Sequence, residues 1–257
     1  MRTLSARHHI RARRFTRDAD ATFSDDLSGL HAVMSGSAST WTAKNECTLA
    51  LEVLESHRGP SSEWTLDALS KLVREIDQHI YEPVKTDDPF DLWGWGMSLV
   101  VAAFVGPRVR IAHVGRCRAY RVDKGAATPL TVDHSLLALL SMSSSFQQTD
   151  EATRREALRS HGRIQLQCLG SQALSAITFN EVDLSPSSTL VLVSPGATLA
   201  LETTDELKRW EGSPLDAFAT WVTQRGKQLE DANATAESQG DIDAASVVIE
   251  PFGPSER

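Results

Sequence analysis

The chain has 257 residues, 41% of them hydrophobic and 23% charged, the profile of an ordinary globular protein long enough to bury a full core. Its formal net charge of −8 argues against a general nucleic-acid binder, and no apolar run reaches membrane-spanning length. Cys47, Cys117 and Cys168 are odd in number, far apart and lack metal-type spacing; with no apolar signal-peptide core at the N-terminus, reduced thiols in a cytoplasmic protein are expected.

The first seventeen residues carry Arg2, Arg7, Arg11, Arg13, Arg14 and Arg17. Two readings stand: the solvated face of a first strand around His9 to Phe15, or a basic arm or targeting peptide. Leu30 to Ser35 is a short apolar strand, followed by a turn of small residues from Gly36 to Thr40. Ala43, Cys47, Ala50, Leu51 and Leu54 then fall on one helical face, ended by Gly59-Pro60. A second amphipathic helix carries Leu66, Leu69, Leu72, Val73, Ile76 and Ile80, with Pro83 beyond it and a polar loop to Asp91.

Trp93 to Leu140 is the organising stretch. Ser98 to Val105 is apolar throughout, as in a strand buried on both faces. Gly106-Pro107 turns the chain, Val109 to Val114 alternates, and Arg118 to Val122 is a third strand closed by Asp123-Lys124-Gly125. A three-strand meander is predicted. Ser141 to Ser145 reads as a mobile loop, Asp150 to Ser160 as a helix, and Ala176 to Leu184 and Ser188 to Ser194 as strands. Ser213-Pro214 is a helix start with Ser as N-cap and Pro at the first helical position. Residues 231–240 read as a polar loop, and Ser246 to Ile249 as a last strand. This order is not a regular βαβ alternation; it predicts a single α+β domain over 1–257, with 1–8 flexible, in which helices cover stacked, mainly antiparallel sheets.

Several landmarks then line up. Val114-Gly-Arg-Cys-Arg-Ala-Tyr120 is followed by Leu130-Thr-Val-Asp-His-Ser135, then by Cys168-Leu-Gly170 and Leu192-Val-Ser-Pro-Gly196. In this order they resemble the metal-dependent type 2C protein serine/threonine phosphatases, where the first two motifs run Val-Gly-Asp-Ser-Arg-Ala-Tyr and Leu-Thr-x-Asp-His-Ser. The resemblance covers nearly the whole chain and implies a four-layer αββα sandwich. It also implies two divalent ions, bridged by carboxylates, that activate a water against a phosphate monoester.

The carboxylates of that centre come from four places. The first aligns with Asp18-Ala19-Asp20, keeping Asp20 and losing an acid at Ala19; the second with Ser35-Gly36, where the bridging carboxylate becomes a hydroxyl. The third aligns with Pro195 and the fourth with Asp243-Ala244, which keeps its first acid. Asp20 and Asp243 are remnant acids, and no metal site or cofactor is expected; manganese or magnesium would serve an active version. The phosphate-binding Arg falls beside Phe15, with Arg14 one place off, and Arg116 and Arg118 are further candidates for phosphate or partner contact. Trp93 and Trp95 are candidate partner anchors or simply buried.

Two other chemistries are disfavoured. A cysteine-based phosphatase site needs Arg six residues after its Cys, and those positions hold Val53, Asp123 and Leu174. Adjacent Asp133, His134 and Ser135 cannot place nucleophile, base and orienter in line. The expected function is that of a catalytically inactive regulator binding a protein partner, such as a serine/threonine kinase or a phosphoprotein, with no role for nucleic acid or membrane. The alternative is a divergent phosphatase with an altered or single-metal site.

Overall fold

The computed structural model describes residues 4–10, 20–36, 46–59, 64–84, 96–161, 164–171, 176–185, 187–202, 204–210, 215–233 and 244–250. In chain order these form β1 (Leu4–Ile10), β2 (Asp20–Asp25), β3 (Leu30–Gly36), α1 (Glu46–Ser56) and α2 (Leu66–Tyr81). Then come β4 (Met97–Val105), β5 (Arg108–Val114), β6 (Arg118–Asp123), β7 (Ala126–Pro129), α3 (Leu136–Ser141), α4 (Ser144–Gln147) and α5 (Glu151–His161). The chain closes with β8 (Thr178–Asp183), β9 (Thr189–Val193), α6 (Thr198–Glu202), α7 (Thr204–Leu207), α8 (Leu215–Asn233) and β10 (Ala244–Glu250). Among the described residues the strands make two five-stranded sheets, β1-β10-β9-β6-β7 and β2-β3-β4-β5-β8, with every pairing antiparallel. The expected α+β sandwich of two antiparallel sheets with helices outside is what the chain forms.

The uniform apolarity of β4 follows from its place in the middle of four layers. Leu99, Val101 and Ala103 point into the core that α1 and α2 cover, while Val100, Ala102 and Phe104 point into the core between the sheets. Strand β9 divides the same way, with Leu190 and Leu192 between the sheets and Val191 and Val193 against α8. Helix α2 buries Leu69, Leu72, Val73, Ile76 and Ile80, a stripe at helical period, and starts at Thr65, whose side chain accepts from Ala68 N–H at 3.1 Å.

The meander breaks after β5. Strands β4 and β5 pair as a hairpin, but β6 leaves for the other sheet and pairs with β9 and β7. The crossing is made at Gly115, whose φ is +90°; a Cβ there would lie 2.5 Å from Ser98 Oγ, so only glycine fits. A hairpin and a sheet-to-sheet crossing look alike over three residues of sequence. What decides between them is burial of Cys117 and Ala119 against Leu190 and Leu192.

Other expectations are corrected locally. The serine stretch at 141–145 is not a loop but the junction of α3 and α4, with Ser143 as the N-cap residue of α4. Residues 4–8 belong to β1, paired along β10, and α8 continues through Asp231 to Asn233. Strands β2 and β7 and helices α6 and α7 had no clear periodicity to announce them. Strand β2 (DATFSD) is buried along its whole length, although its alternation is broken by polar residues. The Ser213-Pro214 helix start lies outside the described residues. Among those residues no helix is long and apolar enough to cross a membrane.

Candidate functional site

The antiparallel register sets a row of residues across one end of the second sheet. Asp20 on β2 is opposite Ser35 on β3, and Ser35 is opposite Ser98 on β4. One step past the Leu99–Val114 pair the row reaches Gly115 and the crossing. Ser98 ties the row together: its Oγ accepts from Arg116 N–H at 3.0 Å and donates to Gln165 Oε1 at 3.2 Å. Asp20 is 3% exposed, and Ser35 and Gly36 are half-buried.

Cys117 lies beneath this row, fully buried, with its Sγ 3.5 Å from Ser98 O. Burial pushes its thiol pKa well up, and the charge of Asp20 adds to the rise while Arg116 opposes it. Asp20 and Arg116 therefore act on the same buried atom from the same end of the sandwich. A thiol held protonated is a poor nucleophile, so Cys117 is a packed side chain.

Pro195 sits in the turn that follows β9, in the first sheet, half-buried ahead of Gly196 and Ala197. Helix α8 crosses this turn so closely that a Cβ on Gly226 would be 2.5 Å from Ala197 Cα. Ala244 opens β10 opposite Ile10. Ala19, Asp243, Arg14, Trp93 and Trp95 lie outside the described residues. Of the described positions expected to carry the metal centre, Asp20 alone has a carboxylate. A small hard divalent ion needs about six oxygen ligands, and among the described residues no group of three or more His, Cys, Asp or Glu is placed to hold a metal. The described side chains do not fit a two-ion centre.

Arg118 is committed elsewhere. Its guanidinium forks onto Asp133 at 2.6 and 2.8 Å, reaches Glu202 at 2.6 Å and donates to Tyr120 Oη at 3.0 Å. Burial works against its charge, yet the Asp133 bond holds its pKa above the ordinary arginine value. Tyr120 is pushed up to about 12, by burial first. This network fastens β6 to the segment before α3. In that segment Asp133 faces Arg118, while His134 Nδ1 accepts from Gly115 N–H at 3.2 Å and Nε2 donates to Thr178 Oγ1 at 2.8 Å. Ser135 caps α3 by accepting from Ala138 N–H at 3.2 Å. Three adjacent side chains thus point at three different partners, and no triad exists.

The same segment borders an open groove of about 390 Å³ between α3, Leu166 and the start of β8. Val132, Leu139, Met142 and Leu166 line it and are 64, 58, 75 and 49% exposed. Sequence reading missed this groove, along with Ser98 and Gln165. The only signal was Leu136-Leu-Ala-Leu-Leu140, a leucine run with no polar face to mark which side is buried. Asp20, Ser35, Ser98, Gly115 and Arg116 are brought together; Pro195 comes from the opposite sheet.

No protein-family model matches the sequence. A serine/threonine phosphatase, stp, of Listeria monocytogenes serotype 4b (strain F2365) is 30% identical over 165 residues. The match covers 62% of this chain and 62% of the Listeria protein, so the chain spans less than two thirds of that relative's length. Among solved structures, the Mycobacterium tuberculosis serine/threonine phosphatase PstP/Ppp superposes with a TM-score of 0.75 at 19% identity, covering 96% of this chain and 98% of that one. The catalytic domain of the phosphatase PstP in complex with two manganese ions superposes with a TM-score of 0.74 at 17% identity, covering 96% and 97%. That structure corrects the expectation of no cofactor for this chain, because a neighbour of the same fold holds two manganese ions. The homologue and the structural neighbours of this chain are PPM-type (type 2C) serine/threonine phosphatases, and it shares their fold.

Proposed function

We propose that this chain is a catalytically inactive relative of these phosphatases, a cytoplasmic regulator that acts by binding a protein partner such as a serine/threonine kinase or a phosphoprotein. One observation carries the reading: along the end of the sandwich a serine stands at 35, a proline at 195 and an arginine at 116, and Asp20 is the one acid left among the described positions. Two adjacent divalent ions repel each other and are held only by several shared carboxylates. A hydroxyl and a proline ring supply no such charge, and Arg116 brings a positive charge to the same end. That charge suits contact with a phosphate on a partner, with Arg14 as a second candidate.

A second reading, an altered phosphatase with a single-metal site, has Asp20 in its favour and the manganese of the solved neighbour. The two readings separate in one assay on the purified chain, using a phosphoserine peptide and p-nitrophenyl phosphate with manganese or magnesium. Turnover at the background rate is expected. Metal-dependent turnover that disappears in Asp20→Ala and in Asp243→Ala would overturn the inactive reading. Copurification of one partner in stable stoichiometry is the matching positive evidence.

A further inference from the structure

The turn after α7 and the first half of α8 build a second concave surface. Helix α8 sets Phe218, Trp221 and Arg225 on one face, at spacings of three and four residues. Phe218 is buried and stacks on Trp221, with ring centroids 5.9 Å apart and planes 14° apart. Trp210 ends the single 3₁₀ turn Lys208–Trp210, and its ring lies 5.4 Å from that of Trp221 at 31°. Both tryptophans pack on the core to which Leu207 and Phe218 belong, yet both stay half-buried. They wall an open cavity of about 290 Å³, whose other described lining residues are Glu206 and Arg209. That size is at the lower end of the roughly 300–1,000 Å³ of small-molecule sites.

The polar groups around this cavity are unbalanced. Glu206 has both carboxylate oxygens taken, because Arg225 forks onto them at 2.8 and 2.6 Å. That bond is the first cause of the lowered Glu206 pKa, and the charge of Arg209 adds to it. Arg209 is exposed and makes no hydrogen bond or ion pair among the described residues. The indole N–H groups of Trp210 and Trp221 have no acceptor among those residues either. Two guanidiniums therefore share one carboxylate, and the uncommitted side-chain groups at the cavity are all donors.

We propose that this cavity binds a small, free aromatic acid, its planar ring laid against the two indoles and its carboxylate or phosphate held by Arg209. An indole face gains most from flat apolar surface, and a guanidinium holds an oxyanion by charge-assisted hydrogen bonds. A cation would gain from the indole faces but would meet the surplus positive charge of Arg209. A neutral ring would leave Arg209 without its acceptor. The cavity shares no lining residue with the row at the end of the second sheet, so this site goes beyond the partner-binding reading and holds whether or not the chain turns over phosphate.

The test uses the full chain and a set of matched probes: naphthoate, neutral naphthalenemethanol, cationic naphthylmethylamine and saturated cyclohexanecarboxylate. Contact is read by ligand-observed saturation-transfer NMR and affinity by isothermal titration calorimetry. Naphthoate is expected to bind at least about tenfold more tightly than each of the others. Arg209→Gln and Trp210→Leu should each lose about tenfold or more. Arg209 makes no hydrogen bond in the described fold, so Arg209→Gln leaves the circular dichroism unchanged and decides the matter if Trp210→Leu does not fold. Lys71→Gln, which removes the same charge from an exposed position on α2, should bind naphthoate as wild type does.

Equal binding of the neutral or the saturated probe, affinity unchanged in Arg209→Gln, or no binding at millimolar naphthoate would overturn the proposal. So would a phosphotyrosine peptide that binds tenfold more tightly than naphthoate, because a partner's side chain would then be the occupant. Sedimentation showing a dimer that Trp210→Leu converts to monomer would overturn it too, by assigning the two indoles to a second copy.

Discussion

His113 offers the sharpest quantitative test of the fold. It sits on β5 facing the inter-sheet core, opposite Val100 on β4 and Thr178 on β8, and is 1% exposed. The His134 ring lies 4.7 Å away between centroids, and Asp133 and Arg118 are the other charged groups that face it. Burial is the main force lowering its pKa to about 4 from 6.5; the neighbouring His134 adds to the effect and Asp133 opposes it. The folded protein therefore keeps this ring neutral while the unfolded chain protonates it near pH 6.5. Stability from this residue is complete above that pH and is lost as pH falls toward 4, where both states carry the proton. At ~1.4 kcal/mol for each tenfold change in proton affinity, the loss is about 3 kcal/mol. Replacing the ring by His113→Leu removes this dependence. Urea unfolding followed by tryptophan fluorescence, run at intervals from about pH 7 to about pH 4, should show the variant losing about 3 kcal/mol less than wild type. If the two stability curves run parallel across that range, the neutral buried histidine is refuted.

Two further outcomes follow from the site. Arg118→Met strands the nearly buried Asp133 carboxylate and should cost about 2–3 kcal/mol in denaturant unfolding, discounted from a fully buried pair because Arg118 is partly exposed; Glu202→Gln, at the solvent rim, should cost under about 1 kcal/mol. Equal losses for the two would show that the Asp133 fork is not the centre of the network. A thiol–disulfide exchange reagent should modify half-buried Cys168 first in the native protein, with Cys47 and Cys117 protected until unfolding. Native labelling of Cys117 at the rate of an exposed thiol would contradict its packed, protonated state.

Much of the frame was legible because it depends on local pattern. The two amphipathic helices, the apolar β4 and the turn at Gly106 announce themselves in residues that any chain would need at those places. The motif order from Val114 to Gly196 pointed to the sandwich, and the substitutions at Ser35, Arg116 and Pro195 could be read directly. The path of β6 could not. Gly115-Arg116-Cys117 permits either a third meander strand or a crossing between sheets, and side-chain period is the same for both. The serine stretch at 141–145 was misread because polarity suggested a loop, although Ser143 takes the N-cap position of α4 without a side-chain bond to the helix.

The residue types at the end of the sandwich are a property of the sequence alone: a chain with serine at 35 and proline at 195 lacks carboxylates there in any conformation. Tertiary structure decided what those residues stand beside. Register set Asp20, Ser35 and Ser98 in one row, and the crossing at Gly115 brought Arg116 to its end. It also committed Arg118 to Asp133 instead of to solvent, and left Leu139 of α3 exposed beside an open groove. Those outcomes depend on which surfaces meet between stretches far apart in sequence, such as β6 against β9, and no local pattern encodes the meeting of surfaces so distant in the chain.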